Sequence, residues 1–412
     1  MKDGQTEELS APVLDQHRLD SLPAQERAYV EELDRELHRL WGLGRNIILS
    51  WTPITNGIRV LVIPHYILGE MAGKDTGGGD DLAFVDAVIA GNTLSDDETF
   101  DTVAKYFGYE PRLIALSFQP GTHLTTGLME AVVRRYSISY IPNGAVALFD
   151  IVGFSLFSAL EQVTQLNSLA YSVNASYSKM LAKNLDIQFA RSTTGDGFYI
   201  WNRDRSIESN VNLYHLMHMV LADNAIARSK GKENTTPRLR AAFHVGPHYE
   251  FFQSEGLSPT VYSYIVGDVT IELARMIDHA LPGQILVGDF WVDMRERVTG
   301  EIQRISTTEF IDRTRQSLSN LEGMVLSGEN VESIQCYLTG ERLPAGEFGI
   351  KRYMLVDKHG RSRQVYNAKV NIYRSGAKPI YLGFQTGDLD GFRYQQEEFV
   401  QSGAAPAAGG KR

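Results

Sequence analysis

The chain has 412 residues, of which 43% are hydrophobic, and it carries a formal net charge of −10. That length allows two or three domains with ordinary cores, and the acidic balance argues against general binding to nucleic acid or to anionic membranes. The single cysteine, Cys336, excludes an intrachain disulfide, and the sequence shows no signal-peptide pattern and no apolar run of 18 residues, so we expect a cytoplasmic protein without membrane insertion.

Residues 1–140 form a first region whose role no motif identifies. The expected elements are a helix at 24–43, strands at 46–51 and 57–63, and a helix at 124–136. The glycine-rich stretch 73–81 lacks the Lys-Ser/Thr pair of a phosphate-binding P-loop, so it indicates an acidic loop. A regulatory domain and a structural appendage both remain open for this region.

The stretch 144–155 is the first that suggests chemistry. Apolar residues 144–149 predict a strand buried on both faces, Asp150 follows at its end, and the chain then turns into a helix. Amides at a strand-to-helix turn favour anions, so the turn combines a possible metal-binding carboxylate with a possible phosphate cradle. On local grounds alone, an Asp at a strand end is more often a helix cap.

A second carboxylate follows in a hairpin. Residues 186–192 alternate as a strand, 193–197 turn, and 198–201 return, so Asp196 lies at the hairpin tip, 46 positions after Asp150. That interval can bring the tip beside a neighbouring strand end, where two carboxylates could hold two divalent cations against a triphosphate. A plain Gly-Asp-Gly turn is the alternative.

Two later motifs complete an ordered series. Residues 238–247 predict a strand ending in His-Val-Gly-Pro, and residues 264–276 run from a strand through a Gly-Asp turn into a helix, before a last strand at 281–287. Together with the Asp-Ile-Val-Gly-Phe-Ser turn and the Gly-Asp hairpin, this series resembles the catalytic domain of class III nucleotide cyclases over about residues 141–295. The resemblance implies an α/β (α+β) domain of the ferredoxin-like, palm type.

The resemblance also implies a substrate and its ligands. Asp150 and Asp196 would bind two divalent cations, Mn²⁺ or Mg²⁺, with the carbonyl of Ile151 as a further ligand. The β- and γ-phosphates of a nucleoside triphosphate would be held by four successive residues, Val152, Gly153, Phe154 and Ser155. Arg275 would stabilise the transition state. Family members pair head to tail, so a homodimer with two shared active sites is expected.

The positions that read a purine in this family are changed. Ser192 replaces a Lys, Tyr264 replaces an Asp, and Ile271 replaces an Asn that acts in the transition state. Arg191 is adjacent to Ser192, but strand alternation directs it to the opposite face. The combination resembles the pyrimidine cyclases of bacterial antiphage signalling, the Pycsar type, and Tyr264 could shorten the pocket and hydrogen-bond a ring edge.

The predicted function is therefore a pyrimidine nucleotide cyclase. It would make a 3′,5′-cyclic monophosphate and pyrophosphate from UTP or CTP, with UTP favoured although no residue decides between them. A separate effector protein would respond to the cyclic nucleotide during antiphage defence. Two alternatives remain: an adenylate cyclase with a remodelled base pocket, and a nucleotide-binding pseudoenzyme that regulates a partner, which Ile271 would suit.

The rest of the sequence shows no further catalytic group. Residues 296–400 predict a small α+β domain with a helix at 307–326, three strands and a hairpin turn at 357–362, followed by a disordered tail at 401–412. His215 and His218 share one side of a predicted helix at 207–227 and are interpreted as surface or packing residues. His244 is interpreted as a core histidine.

Overall fold

The structure is a computed structural model that describes residues 22–73, 79–185, 188–232, 234–254, 261–341 and 349–400. The chain packs as two compact units. The first contains residues up to Pro142 together with Pro247–Val266, and the second contains Asn143–Gly246 together with the chain from Gly267 onward. The predicted tail, part of the predicted glycine-rich loop, and Asp186 at the start of a predicted strand lie outside the described residues.

The first unit combines a small antiparallel sheet with helices. Its strands pair in the order β1-β2-β3, and apolar side chains from both faces of the sheet enter two buried clusters. The elements are α1 (Ala24–Trp41), β1 (Asn46–Ile54), β2 (Gly57–Pro64), α2 (Tyr66–Gly73), α3 (Gly79–Ala90), α4 (Asp97–Phe107), β3 (Arg112–Ala115) and α5 (Thr126–Val133). The predicted helix at 24–43 and the strands at 46–51 and 57–63 are confirmed, whereas the predicted helix at 124–136 ends as a 3-10 turn, Arg134–Tyr136.

The second unit is built on a β-α-β-β-α-β succession. Its elements are β4 (Ile138–Ile151, which begins in the first unit), α6 (Ala159–Leu181), β5 (Phe189–Thr193), β6 (Gly197–Asn202), α7 (Ile207–Lys230) and β7 (Leu239–Ser254, which ends in the first unit). The strands lie in the order β7-β4-β6-β5. In this ferredoxin-like arrangement the first strand, β4, lies between the fourth, β7, and the third, β6. The expected α+β class is therefore confirmed.

The strand after β7 and the helix that follows it extend this plan. β8 (Val261–Val266) pairs with the far half of β7 within the first unit, with Phe251 opposite Tyr264. The chain then enters α8 (Asp268–His279) and β9 (Ile285–Gly288), which lies parallel to β7. β10 (Trp291–Arg295) and β11 (Ile302–Ser306) form a separate hairpin before α9 (Thr307–Ser317).

The C-terminal strands belong to the same sheet as β9, β7 and β4. They are β12 (Val325–Leu326), β13 (Glu329–Leu338), β14 (Ile350–Val356), β15 (Ser362–Arg374), β16 (Ala377–Gly383) and β17 (Gln396–Val400). β15 pairs antiparallel with β9, and β13, β14 and β16 pair with β15. Backbone hydrogen bonds between β15 and β9 therefore cross the predicted boundary between 141–295 and 296–400, and both segments pack within the second unit.

Helix α7 is the most deeply buried helix of the second unit. His215 and His218 are fully buried, so the packing interpretation holds and the surface one does not. Burial lowers the pKa of His215 to about 3. Helix α6, in contrast, leaves Leu160 and Val163 exposed. None of the helices within the described ranges combines the length and apolar character that spanning a bilayer requires.

Candidate active site

The two predicted metal-binding aspartates meet at the end of paired strands. In the antiparallel ladder between β4 and β6, Asp150 lies opposite Gly197, the residue after Asp196. The amide of Ile151 donates to the carbonyl of Asp196 at 3.0 Å. The strand order therefore brings together two carboxylates that are 46 positions apart in the chain.

Gly197 makes this close pairing possible. A Cβ atom at Gly197 would lie 1.9 Å from the carbonyl oxygen of Phe149, so any larger residue would force β4 and β6 apart. Next to it, the hydroxyl of Thr194 donates to Oδ1 of Asp196 at 3.1 Å. The hairpin tip is thus fixed by sterics on one side and by a hydrogen bond on the other.

Asp150 is buried and already has a cationic partner. Its side chain is 9% exposed, and Nε of Arg240, on β7, donates to its Oδ2 at 2.6 Å. Burial raises the pKa of Asp150, and the charges of Asp196 and Asp278 raise it further, while Arg240 opposes the shift. Burial, the largest cause, makes the carboxylate of Asp150 costly to ionise, and a bound cation would offset that cost.

The turn after Asp150 differs from the expected helix start. Gly153 has φ +70°, a conformation that favours glycine, and a 3-10 turn covers Phe154–Leu156. Helix α6 begins only at Ala159, where Ser158 and Glu161 form a capping box. The expected anion-binding amides therefore belong to a 3-10 turn and not to the N-terminus of the helix.

One of the four predicted phosphate-binding amides is already engaged. The amide of Val152 donates to the carbonyl of Arg238 at 2.9 Å, whereas the prediction assigns it to phosphate. The amides of Gly153, Phe154 and Ser155 stay predicted phosphate donors. Gly153 and Ser155 are exposed, and Phe154 is partly buried.

Arg275 lies on α8 between two carboxylates. Its Nη1 is 3.7 Å from Oδ2 of Asp278, and its Nε is 3.9 Å from Oδ2 of Asp357. Ile271, one turn earlier on the same helix, is half exposed. The predicted catalytic role of Arg275 is not tested by these contacts, but they show that its guanidinium is already oriented by acidic groups.

The two predicted base-reading residues lie in different units. Ser192, in the second unit, is opposite Tyr199 in the β5–β6 ladder, while the guanidinium of Arg191 bonds to Asn174 of α6 at 3.2 Å. Tyr264 lies in the first unit, where its ring stacks on Phe251 with centroids 5.4 Å apart. Their roles in reading a base stay predictions.

Three residues near the aspartates were missed by the sequence analysis. Arg240 pairs with Asp150, Asp278 acts on the pKa of Asp150, and Tyr199 donates to the carbonyl of Thr270 at 3.1 Å. The available signal for Arg240 was a charged residue within the otherwise apolar run 239–243. It becomes informative only when β7 is known to lie beside β4.

The donors present suit a hard divalent cation. Asp150 and Asp196 offer carboxylate oxygens, and the carbonyl of Ile151 lies at the same strand end. Within the described part of the chain, no three His, Cys, Asp or Glu side chains form a group that could hold a metal by themselves. Two carboxylates fit Mg²⁺ or Mn²⁺ that takes its other ligands from nucleotide phosphates and water.

Comparison with known proteins gives structural likenesses only. No protein-family model and no curated protein matches the sequence. Among solved structures, similarity is found to the guanylate cyclase domain of RhGC from Catenaria anguillulae in complex with GTP, with 14% identity over 57% of this chain and 98% of that chain, and a TM-score of 0.32.

Two adenylate cyclases are similar at the same level. The adenylyl cyclase CyaB from P. aeruginosa has 13% identity over 56% of this chain and 95% of its own, with a TM-score of 0.28. Adenylate cyclases from Trypanosoma brucei in their monomeric state give 12% identity, coverage of 62% and 96%, and a TM-score of 0.30. Such low scores establish nothing about the activity of this chain.

Proposed function

We propose that the chain is a nucleotide cyclase that converts a pyrimidine nucleoside triphosphate into a 3′,5′-cyclic monophosphate and pyrophosphate. The observation that carries the proposal is the β4–β6 pairing, at whose end Asp150 and Asp196 meet. The burial of Asp150, which raises its pKa, and the nearby charge of Asp196 support a cation site there. The ordered motifs of residues 141–295 supply the reaction type.

The reaction requires the 3′-hydroxyl of the nucleotide to attack its own α-phosphorus in line with the departing pyrophosphate. Bound divalent cations would neutralise phosphate charge and lower the pKa of that hydroxyl. Asp150 and Asp196 would hold the cations, while the amides of Gly153–Ser155 would donate to phosphate oxygens. Arg275 adds positive charge where the transition state gains negative charge.

The choice of a pyrimidine rests on two residues. Ser192 and Tyr264 stand where the resembling purine enzymes have a Lys and an Asp, so neither can make those contacts. The hydroxyl of Tyr264 can donate or accept at a pyrimidine edge, and the residue is 38% exposed. UTP is favoured over CTP. The proposed role in antiphage signalling, and the separate effector protein that it requires, follow from the resemblance to the Pycsar type alone.

A homodimer is part of the proposal, because Arg275 would act on a nucleotide held by the other subunit. Exposed apolar side chains support self-association. Leu156, Leu160 and Val163 are 88%, 77% and 54% exposed, immediately after the proposed phosphate-binding turn. Apolar residues grouped in this way commonly mark an interaction surface.

To test the proposal, the purified protein is incubated with Mn²⁺ and one nucleotide at a time: ATP, GTP, CTP or UTP. Cyclic products are identified by mass spectrometry. We expect a cyclic pyrimidine nucleotide as the main product. Asp150→Asn and Asp196→Asn should each lower its rate at least about a hundredfold, because each removes a charged metal ligand. Asp312→Asn, which removes an exposed carboxylate paired with Arg315, is the matched control and should change little.

Each remaining outcome selects an alternative. Cyclic AMP as the only product would favour the adenylate cyclase with a remodelled pocket. Nucleotide binding without any cyclic product would favour the regulatory pseudoenzyme, for which the half-exposed Ile271 in place of a polar residue is the specific observation. Activity within a few-fold of wild type in either aspartate variant would overturn the two-carboxylate site.

A further inference from the structure

A chain of four charged residues links the C-terminal strands to helix α8. Arg363, at the start of β15, donates from Nε to Oε2 of Glu272 at 2.8 Å and from Nη2 to Oδ2 of Asp357 at 3.3 Å. The same Oδ2 atom of Asp357 is 3.9 Å from Nε of Arg275. Because Glu272 and Arg275 are three residues apart, both lie on the side of α8 that faces the β14–β15 hairpin.

Asp357 is held in one orientation. Its Oδ1 accepts the amides of His359 at 2.8 Å and Arg361 at 3.0 Å, which leaves Oδ2 directed at the two arginines. Its side chain is 5% exposed. Burial disfavours the charged form, but the two amides and Arg363 outweigh it and lower the pKa of Asp357 to about 2. The carboxylate is therefore ionised and fixed at neutral pH.

The contact with Arg275 differs from the anchoring contact. The bond between Arg363 and Glu272 joins hairpin and helix at hydrogen-bond distance, so the attachment of α8 does not depend on Arg275. At 3.9 Å, Asp357 attracts the guanidinium without consuming its N–H donors. Those donors stay available for phosphate oxygens, for which a guanidinium is well suited.

We propose that Asp357 is a positioning residue that orients Arg275 for transition-state stabilisation. The C-terminal strands thereby contribute to catalysis, although the sequence analysis assigned them no such role. This inference rests on the proposed cyclase function and on the part of Arg275 in it. Arginine has several rotatable bonds, so fixing its guanidinium before the reaction removes an entropic cost from the transition state.

The first test compares Asp357→Asn with wild type in steady-state kinetics. The variant keeps the size of the side chain and the amide-accepting oxygen but loses the charge. We expect kcat to fall about tenfold, as for a misplaced catalytic group, with the KM for the nucleotide within about twofold. Arg275→Ala should lower kcat as well, and adding Asp357→Asn to it should cause no further loss.

The controls separate positioning from stability. Asp312→Asn removes another carboxylate paired with an arginine and should leave kcat unchanged. Because the lowered pKa of Asp357 means that its charge stabilises the fold, the thermal unfolding midpoint of Asp357→Asn should fall, and kcat is therefore compared well below the midpoints of both proteins. An equal fall of kcat in the Arg275→Ala background would overturn the proposal, because Asp357 would then act independently of Arg275. A rise in kcat would also overturn it, since Asp357 would then restrain Arg275.

A second readout does not depend on cyclase activity. Phenylglyoxal modifies accessible arginines, and peptide mass spectrometry reports the rate at Arg275, whose side chain is 27% exposed. We expect Asp357→Asn to increase this rate several-fold, and Asp312→Asn to leave it unchanged. An unchanged rate of Arg275 modification in Asp357→Asn would show that Asp357 does not hold Arg275. A wild-type protein that makes no cyclic nucleotide would instead overturn the proposed function.

Discussion

Asp150 is a residue that the second unit holds at an energetic cost. Burial, with Asp196 and Asp278, raises its pKa despite the bond from Arg240. A raised pKa means that folding favours the protonated form, so the contribution of Asp150 to stability is complete below its unfolded pKa and declines as pH rises through its folded one. At neutral pH Asp150 therefore contributes unfavourably to folding, as is common for functional groups.

Asp150→Asn should accordingly stabilise the protein while it abolishes activity. The amide resembles the protonated acid and can still accept from Arg240, so we expect a higher free energy of unfolding at pH 7. The gain should disappear at pH values below 3.8, where wild-type Asp150 is protonated in both states. Urea unfolding at several pH values measures this.

Asp196→Asn is the matched control for this prediction, because Asp196 is only partly buried and has no arginine on its oxygens in the described contacts. It should show no comparable gain in stability. A lower unfolding free energy for Asp150→Asn than for wild type at pH 7 would contradict the account, and would mean that the bond from Arg240 outweighs the cost of burial.

Residue patterns located the aspartates but not their environment. Asp150 and Asp196 follow readable strand and turn signals, and the structure brings them together. Arg240 could not be assigned as the partner of Asp150. The alternation of side chains along a strand predicts which face a residue lies on, but it does not predict which strand lies alongside. Ser158 and Glu161 carry the Ser-x-x-Glu capping signature, so the later start of α6 could have been read from the sequence.

At the scale of elements, helix α7 combines burial with unusual polarity. Among the described residues, neither ring nitrogen of His218 has a hydrogen-bond partner, while Nε2 of His215 lies 2.8 Å from the hydroxyl of Ser317. Burial lowers the pKa of both, that of His215 to about 3, and protonation of His215 would lower the pKa of His218 further. Both rings are therefore neutral in the folded protein.

This helix should make the second unit sensitive to acid. In the unfolded chain each histidine takes up a proton near pH 6.5, whereas in the folded chain His215 does so only near pH 3. Stability is thus complete above pH 6.5 and falls as pH drops toward 3, by up to about 1.4 kcal/mol per pH unit for each histidine. Urea unfolding at pH 7, 6 and 5 measures the slope.

His218→Phe should flatten that slope by about half, because one of the two proton-binding groups is gone while the aromatic contact with Tyr214 is retained. His359→Gln changes an exposed histidine and should leave the slope as it is. An unaltered slope in His218→Phe would show that acid sensitivity arises in other groups.

At the scale of the whole molecule, the sequence predicted elements better than their association. The strands at 349–356 and 363–373 were expected, but their pairing with β9 was not, because Val365–Ala368 and Ile285–Gly288 lie far apart in the chain. The grouping of Pro247–Val266 with the first unit is equally non-local. Alternating apolar residues specify that a strand is half buried and leave open which strand lies beside it.

The proposed homodimer gives a prediction that only the assembled molecule can meet. Asp150→Asn and Arg275→Ala subunits should each keep only a small residual activity alone, because every shared site then lacks one component. After equal amounts are mixed and allowed to exchange, half of the dimers should be mixed and each should contain one complete site. Activity should therefore return to roughly one quarter of wild type.

Exchange is verified by native mass spectrometry of subunits that carry different tags. Mixing Asp150→Asn with Asp196→Asn is the control, since both changes affect the metal-binding half and no complete site can form. Verified exchange without recovered activity would show that one chain supplies Asp150 and Arg275 to the same nucleotide.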